Sequence, residues 1–350
     1  MRSPWLYAVV ALTILAAAWV VAPLRAEPSP RFVRPWAEQP ASAPTVRQLT
    51  GPVPVPIRYA YVPSCQDNTG ACRHWILVSA RGERWWLPGA ADSDSLTLSA
   101  DGLRVAYSSD AARGFVIRDL KTGTTRPLPV KREASIGEFF GVRPPLLSPD
   151  GRYLLVQHDH LDKNEEVVSE RPLIVDTDRG TVTRLPGGET VIGWTAAGLA
   201  LVRERSTNSL PGHVSTASFV IRSPGGKVVR RTVVPGNRSR SWFSPSGHTL
   251  ASLAREATPD DLVTTGVVLV GTSKGHPTRT VTPRQPVGRR IAEILRWEDE
   301  NTLVVRTAEA GNDSAYHLLD LQDGTTRPIE ISIPDSADLW ETAPVLGSVR

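Results

Sequence analysis

The chain contains one methionine, two cysteines and, among its forty basic residues, only five lysines. Two cysteines cannot close a structural zinc site, and they are too few to staple a disulfide-dense miniature fold. Long helix-forming runs are also few, which argues against a helical bundle. The lysine shortage leaves arginine to supply the net charge of +4, a bias that fits a genome rich in G and C better than a surface built for nucleic acid. Thirty prolines and 27 glycines stand in place of the missing helix formers, and they point to many short strands joined by turns. At 350 residues the chain is long enough for two ordinary domains or one large all-β domain.

One long apolar run is present. Arg2 precedes Trp5 to Leu24, which is apolar or small throughout except for Thr13, and this reads as a secretory signal or an uncleaved signal anchor over residues 1–26. Cleavage near Ala26 is imperfectly specified because Leu24 occupies a position that prefers a small residue. The basic flanks, Arg2 on one side and Arg25, Arg31 and Arg34 on the other, leave the orientation open. Residues 27–56 are Pro-rich and read as a linker, ending in a segment from Thr45 that resembles an outer, ring-closing strand. Cys65 and Cys72 flank the turn-forming stretch "CQDNTGAC", the arrangement of a disulfide that clips a loop in an oxidising compartment. Both features place the chain outside the cytoplasm, membrane-anchored or secreted, and the composition points to a bacterial source.

The body of the chain repeats. "LSADGLRVAYSS" from Leu98, "LSPDGRYLLVQ" from Leu147 and "FSPSGHTLASLA" from Phe243 align residue for residue, and "WTAAGLALV" from Trp194 and "WEDENTLVV" from Trp297 are degenerate copies. In the best copy Pro149 presets a turn, Asp150 caps it and Gly151 takes the positive φ that lets the next strand leave antiparallel. A second motif of strand, glycine turn and strand follows each copy, as in "FVIRDLKTGTTRPL" from Phe115 and "HLLDLQDGTTRPI" from His317. Each unit thus holds about four strands, the pattern of a propeller blade. A sheet of that size cannot bury both faces alone, so neighbouring blades must pack against each other around an axis.

The alternation of "SPDG" hairpins with strands ending in Asp and a turn Gly resembles the repeat of TolB-like propellers, relatives of the WD-repeat class. The resemblance runs from about residue 57 to 330 and implies an all-β, six-bladed β-propeller of four-stranded antiparallel blades, here preceded by the N-terminal signal or anchor helix. It implies a scaffold or interaction role and names no partner.

Candidate chemistry is sparse. "GTSKG", Gly271 to Gly275, matches the nucleophile elbow of hydrolases, but the extended "HPTRTVT" after it offers no helix, and the motif sits in register with other hairpin turns. His158, His160 and Asp162 in "HDHLDKNEE" read as a solvated loop rather than a metal site, and the arginines of "RRTVVPGNRSRSW" read as solvent-facing on an outer strand. No cofactor, metal or nucleic acid is expected. The long loops collect on one face and together carry more acidic than basic residues. On that face Phe139, Phe140, Asp162, Glu165, Asp260 and Asp261 are the candidate contacts for a protein or cell-envelope component. The sequence therefore reads as a noncatalytic, extracytoplasmic binding scaffold. The alternatives are a small-molecule enzyme of lactonase or lyase type in the central funnel and a membrane-anchored sensor ectodomain. The enzyme alternative requires a cluster of carboxylates or histidines on the innermost strands, and "SLTLS", "PPLLS", "TVIGW", "SRSWFS" and "AEILRW" are mostly apolar or hydroxylic.

Overall fold

The computed structural model describes residues 46–349 apart from 64–73, 91–95, 132–143, 158, 162–166, 206–215, 236–240, 258–261, 274, 285–288, 309–313 and 334–343. These form a six-bladed β-propeller. In the first blade β1 (Arg47–Gln48) edges β4 (Arg84–Trp86), followed inward by β3 (Ile76–Ser79) and β2 (Ile57–Tyr61). The second blade is β5 (Leu96–Leu98), β6 (Arg104–Ser109), β7 (Gly114–Asp119) and β8 (Thr125–Lys131). The third is β9 (Leu146–Leu147), β10 (Tyr153–Val156), β13 (Leu173–Asp176) and β14 (Val182–Arg184), with a separate hairpin of β11 (Asp159–Leu161) and β12 (Val167–Ser169) in its long loop. The fourth is β15 (Thr190–Thr195), β16 (Gly198–Arg205), β17 (Thr216–Arg222) and β18 (Val228–Pro235). The fifth is β19 (Ser241–Phe243), β20 (Thr249–Ala257), β21 (Leu262–Gly271) and β22 (Pro277–Val281). The sixth is β23 (Arg290–Asp299), β24 (Thr302–Ala308), β25 (Ser314–Asp320) and β26 (Thr326–Ile329). Finally β27 (Val345–Leu346) returns to pair with β2 and becomes the innermost strand of the first blade.

Turn chemistry explains the inner hairpins. Gly102, Gly151 and Gly247 take φ of 69°, 70° and 71°. The serine that opens each motif adds a clamp. Ser148 Oγ donates to Asp150 Oδ1 (2.6 Å) and accepts from the Tyr153 amide (2.8 Å), and Asp150 accepts from the Arg152 amide (3.1 Å). Ser99, Asp101 and Arg104 repeat this pattern one blade earlier.

The hydrophobic core is divided among the seams between blades, as expected for sheets that must share their buried faces. Phe115, Ile117 and Val130 of the second blade pack on Leu154, Val156 and Val175 of the third, and Phe219 meets Phe243 edge-on across the fourth seam, ring centroids 5.5 Å apart. Turns bind neighbouring turns as well: the Ala100 amide donates to the Pro149 carbonyl (3.1 Å), the Ala196 amide to Pro245 (2.6 Å), and the Ser246 hydroxyl to Glu300 (3.0 Å).

Ring closure differs from the expectation for the segment from Thr45. Its strand β1 pairs in parallel with β4 at the outer edge of the first blade, and the inner closure comes from β27 instead. The "GTSKG" stretch falls between β21 and β22, with the Gly275 amide bonded to the Gly271 carbonyl (2.9 Å) and a strand rather than a helix following, so no nucleophile elbow forms there. The N-terminal signal or anchor segment, residues 1–26, lies outside the described residues. No helix among the described residues is long and apolar enough to cross a membrane.

Candidate functional site

The six innermost strands leave an axial cavity of about 450 Å³. Leu98, Leu147, Trp194, Phe243, Trp297 and Leu346 each bring one of those strands to its wall. Two of the indoles are fixed by bonds that cross a seam: Trp194 Nε1 donates to the Leu146 carbonyl (3.1 Å) and Trp297 Nε1 to the Trp242 carbonyl (2.9 Å). Their donors are thus satisfied while the rings stay available as flat apolar walls.

Only two charged residues line this cavity among the described ones, Arg296 and Glu298, both from β23. Arg296 Nη2 lies 3.3 Å from Glu298 Oε2, and Glu298 keeps 10% of its side-chain surface exposed against 22% for Arg296. Arg296 Nη1 donates to the Leu346 carbonyl (2.9 Å), and Nη2 also reaches the Gly347 carbonyl. One guanidinium therefore ties the sixth blade to the closing strand while forming part of the cavity wall. Burial pushes the Arg296 pKa below its ordinary value, and the neighbouring Glu298 carboxylate opposes that shift.

At one end the cavity is lined by Ala100, Pro149, Ala196 and Pro245, residues of the inner hairpin turns. The concave site thus reaches the face of short turns. The loop residues proposed for the long-loop face, Phe139, Phe140, Asp162, Glu165, Asp260 and Asp261, lie outside the described residues, as do Cys65 and Cys72. Arg296 lies within the innermost stretch "AEILRW" and Glu298 just beyond it, so the stretch alone holds the cation without the carboxylate that pairs with it. The signal was present in "RWE", a cation and a carboxylate two residues apart on a strand that faces the axis.

No family model matches the chain, and no curated protein matches it in sequence. Solved structures of the same fold do. An acylaminoacyl peptidase from Pyrococcus horikoshii aligns with a TM-score of 0.50 at 12% identity, over 82% of this chain and 48% of that one. The chain thus spans about half the length of that peptidase. An oligogalacturonate lyase from Vibrio parahaemolyticus aligns at 0.47 and 12% identity over 83% and 84% of the two chains. TolB from Acinetobacter baumannii aligns at 0.41 and 16% identity over 79% and 67%. At such identities the likeness is one of fold: the chain is a six-bladed β-propeller, the architecture that the TolB-like resemblance implied.

The noncatalytic scaffold reading is corrected. It rested on innermost strands that read as mostly apolar or hydroxylic, whereas the structure sets the charged pair Arg296 and Glu298 of one of them in the wall of the axial cavity. An acylaminoacyl peptidase shares this fold, so the fold gives no ground for excluding catalysis.

Proposed function

We propose that the protein is a small-molecule enzyme working in the axial funnel on a compact, ring-bearing and largely uncharged substrate. Glu298 serves as general base, and Arg296 holds and orients it. The observation that carries this reading is convergence: all six blades wall one cavity of about 450 Å³ whose only charged groups, among the described residues, are this pair. That volume suits a small molecule. The Trp194, Trp242 and Trp297 side chains line it and suit a flat or ring-shaped body.

The Arg296 and Glu298 charges largely cancel, so an anionic substrate gains little from the site. This favours a lactonase-type reaction on a neutral cyclic ester over a lyase acting on an acidic sugar. In that reaction Glu298 takes a proton from water as the water oxygen bonds to the ester carbonyl carbon. The ring C–O bond then breaks, and the leaving alkoxide recovers the proton to give the hydroxy acid.

Placement outside the cytoplasm belongs to the same proposal, supported by the apolar segment Trp5–Leu24 and the Cys65 and Cys72 spacing. Proton release from a panel of γ- and δ-lactones tests the catalytic claim. Turnover that falls by about a hundredfold or more in Glu298→Gln, with an unchanged circular dichroism spectrum, supports it. Turnover indifferent to that substitution, or no turnover across the panel, counts against it. Tight ligand retention without turnover would favour the membrane-anchored sensor, the alternative to which the Trp5–Leu24 segment lends support.

A further inference from the structure

The seam between the sixth and first blades carries a second concavity, away from the axial wall. A cleft of about 570 Å³ is lined by Arg58 on β2, Arg81 and Arg84 beside the β3–β4 turn, and the segment from Glu330 to Ser332 that follows β26. Three guanidinium groups therefore meet one carboxylate, that of Glu330. Among the described residues none of the three arginines lies in an ion pair, and the only bond from their side chains is a long one, Arg84 Nη2 to the Ser332 carbonyl at 3.4 Å. Elsewhere on the propeller several arginines have a carboxylate partner: Arg104 has Asp178 at 3.0 Å, Arg306 has Glu293 at 3.2 Å and the buried Arg222 has Glu189 at 2.9 Å.

The Arg58 and Arg84 stems are also held out of water. The Nε atoms of both are buried without a hydrogen-bond partner among the described residues. Partly desolvated cations without a counter-charge are costly, and a bound anion removes that cost. Neighbouring groups fix the frame. The Tyr59 hydroxyl donates to the Ser332 carbonyl (2.8 Å) and accepts from the Ser332 amide (3.1 Å), pinning the 330–332 segment over the first blade. Burial pushes the Tyr59 pKa up, while its bond to Ser332 and the positive charges of Arg84 and Arg58 pull it back, placing both guanidiniums within electrostatic reach of that hydroxyl.

We infer that the cleft walled by Arg58, Arg81 and Arg84 is an oxyanion site that takes a phosphate or sulfate group. A tetrahedral dianion offers enough acceptor oxygens for several guanidinium forks, which recognise such groups better than lysine does. This site is independent of the axial one, so either proposal can fail alone.

Calorimetric titration of the full chain with inorganic phosphate, in a buffer free of other oxyanions, is the test. The expected result is saturable binding at one site, weakened about tenfold in Arg58→Ala or Arg84→Ala and unchanged in Arg231→Ala, an exposed arginine on β18. Arg81 is exposed and its side chain has no partner among the described residues, so Arg81→Ala, also expected to weaken binding, serves where Arg84→Ala does not fold. Absence of saturable binding, or binding that the Arg58 and Arg81 substitutions leave unchanged, overturns the site. A second arm uses vesicles of phosphatidylcholine with and without phosphatidylglycerol. Co-sedimentation that requires phosphatidylglycerol and Arg58 supports the site with the oxyanion on a lipid, and phosphate binding without co-sedimentation supports it with a soluble ligand.

Discussion

A methyl group added at Gly102 would sit 2.2 Å from the Ile57 carbonyl oxygen and 2.8 Å from its amide nitrogen. The glycine thus does two jobs: it takes a positive φ in its own turn, and it lets the first blade's backbone approach the second. Gly180 has a similar φ of 71° with nothing within 4 Å of an added methyl, which separates the two effects. Gly180→Ala should lose about 1 kcal/mol, and Gly102→Ala about 3 kcal/mol or more because backbone must move, as read by urea unfolding. Equal losses would mean the turn's approach to the neighbouring blade carries no weight. His317 is the second residue with a measurable signature. It is buried on β25, with Nδ1 3.2 Å from the Thr307 hydroxyl, and burial, helped by Arg289, lowers its pKa from the ordinary value. As pH falls below about 6.5 the unfolded chain binds this proton before the folded one does. Stability should therefore be fully present above that pH and decline below it, until the lowered folded pKa is reached. His317→Asn should flatten the decline in urea midpoints taken between about pH 7.5 and 5.5. The Pro, Asp and Gly roles at these turns were legible because each residue's conformational preference acts locally. The Ser99 and Ser148 clamps were not, since a serine hydroxyl five residues from its amide partner leaves no distinctive spacing.

Two elements explain most of what the sequence concealed. In β23 the pairing with β24 shifts register at three places, between Ile291 and Glu293, Ile294 and Arg296, and Trp297 and Asp299. Each shift breaks the two-residue alternation from which inward and outward faces are read, so the pattern did not reveal that Arg296 and Glu298 reach the axis. The closing strand β27 is only two residues long and has no period at all. Its hold on the ring is correspondingly particular. The Gly347 amide donates to the Arg58 carbonyl (2.8 Å), the Ser348 amide to Ile57 (2.9 Å), and Arg296 caps the Leu346 and Gly347 carbonyls from the far side. Arg296→Ala leaves the largely buried Glu298 without this cation and two carbonyls without this donor, and should destabilise the fold by about 3 kcal/mol. Amide exchange at Gly347 and Ser348 should accelerate well beyond that in β20 and β21. A uniform increase across all blades would contradict a closure role for Arg296.

At the scale of the whole molecule the repeat made the architecture readable. Local turn signals recurred at near-constant spacing, and the need to bury both sheet faces then forced blades into a ring. A site at the centre of that ring is a different matter: Leu98, Leu147, Trp194, Phe243 and Trp297 all open the repeated hairpin motif, but nothing in that motif marks the Arg296 and Glu298 pair. The seam between the sixth and first blades concentrates the departures from regularity: the short closing strand, the Arg296 and Glu298 pair, and the arginine cleft all lie there. Regular seams supply the scaffold, and the irregular one holds the charged groups on which both proposals rest. The central claim, that the axial cavity is the small-molecule site, is tested most directly by soaking crystals of the protein with a library of neutral ring-bearing fragments. Density recurring between Trp194, Trp242 and Trp297, beside Glu298, is the predicted result. Fragments gathering on the long-loop face while the axial cavity stays unoccupied would contradict it.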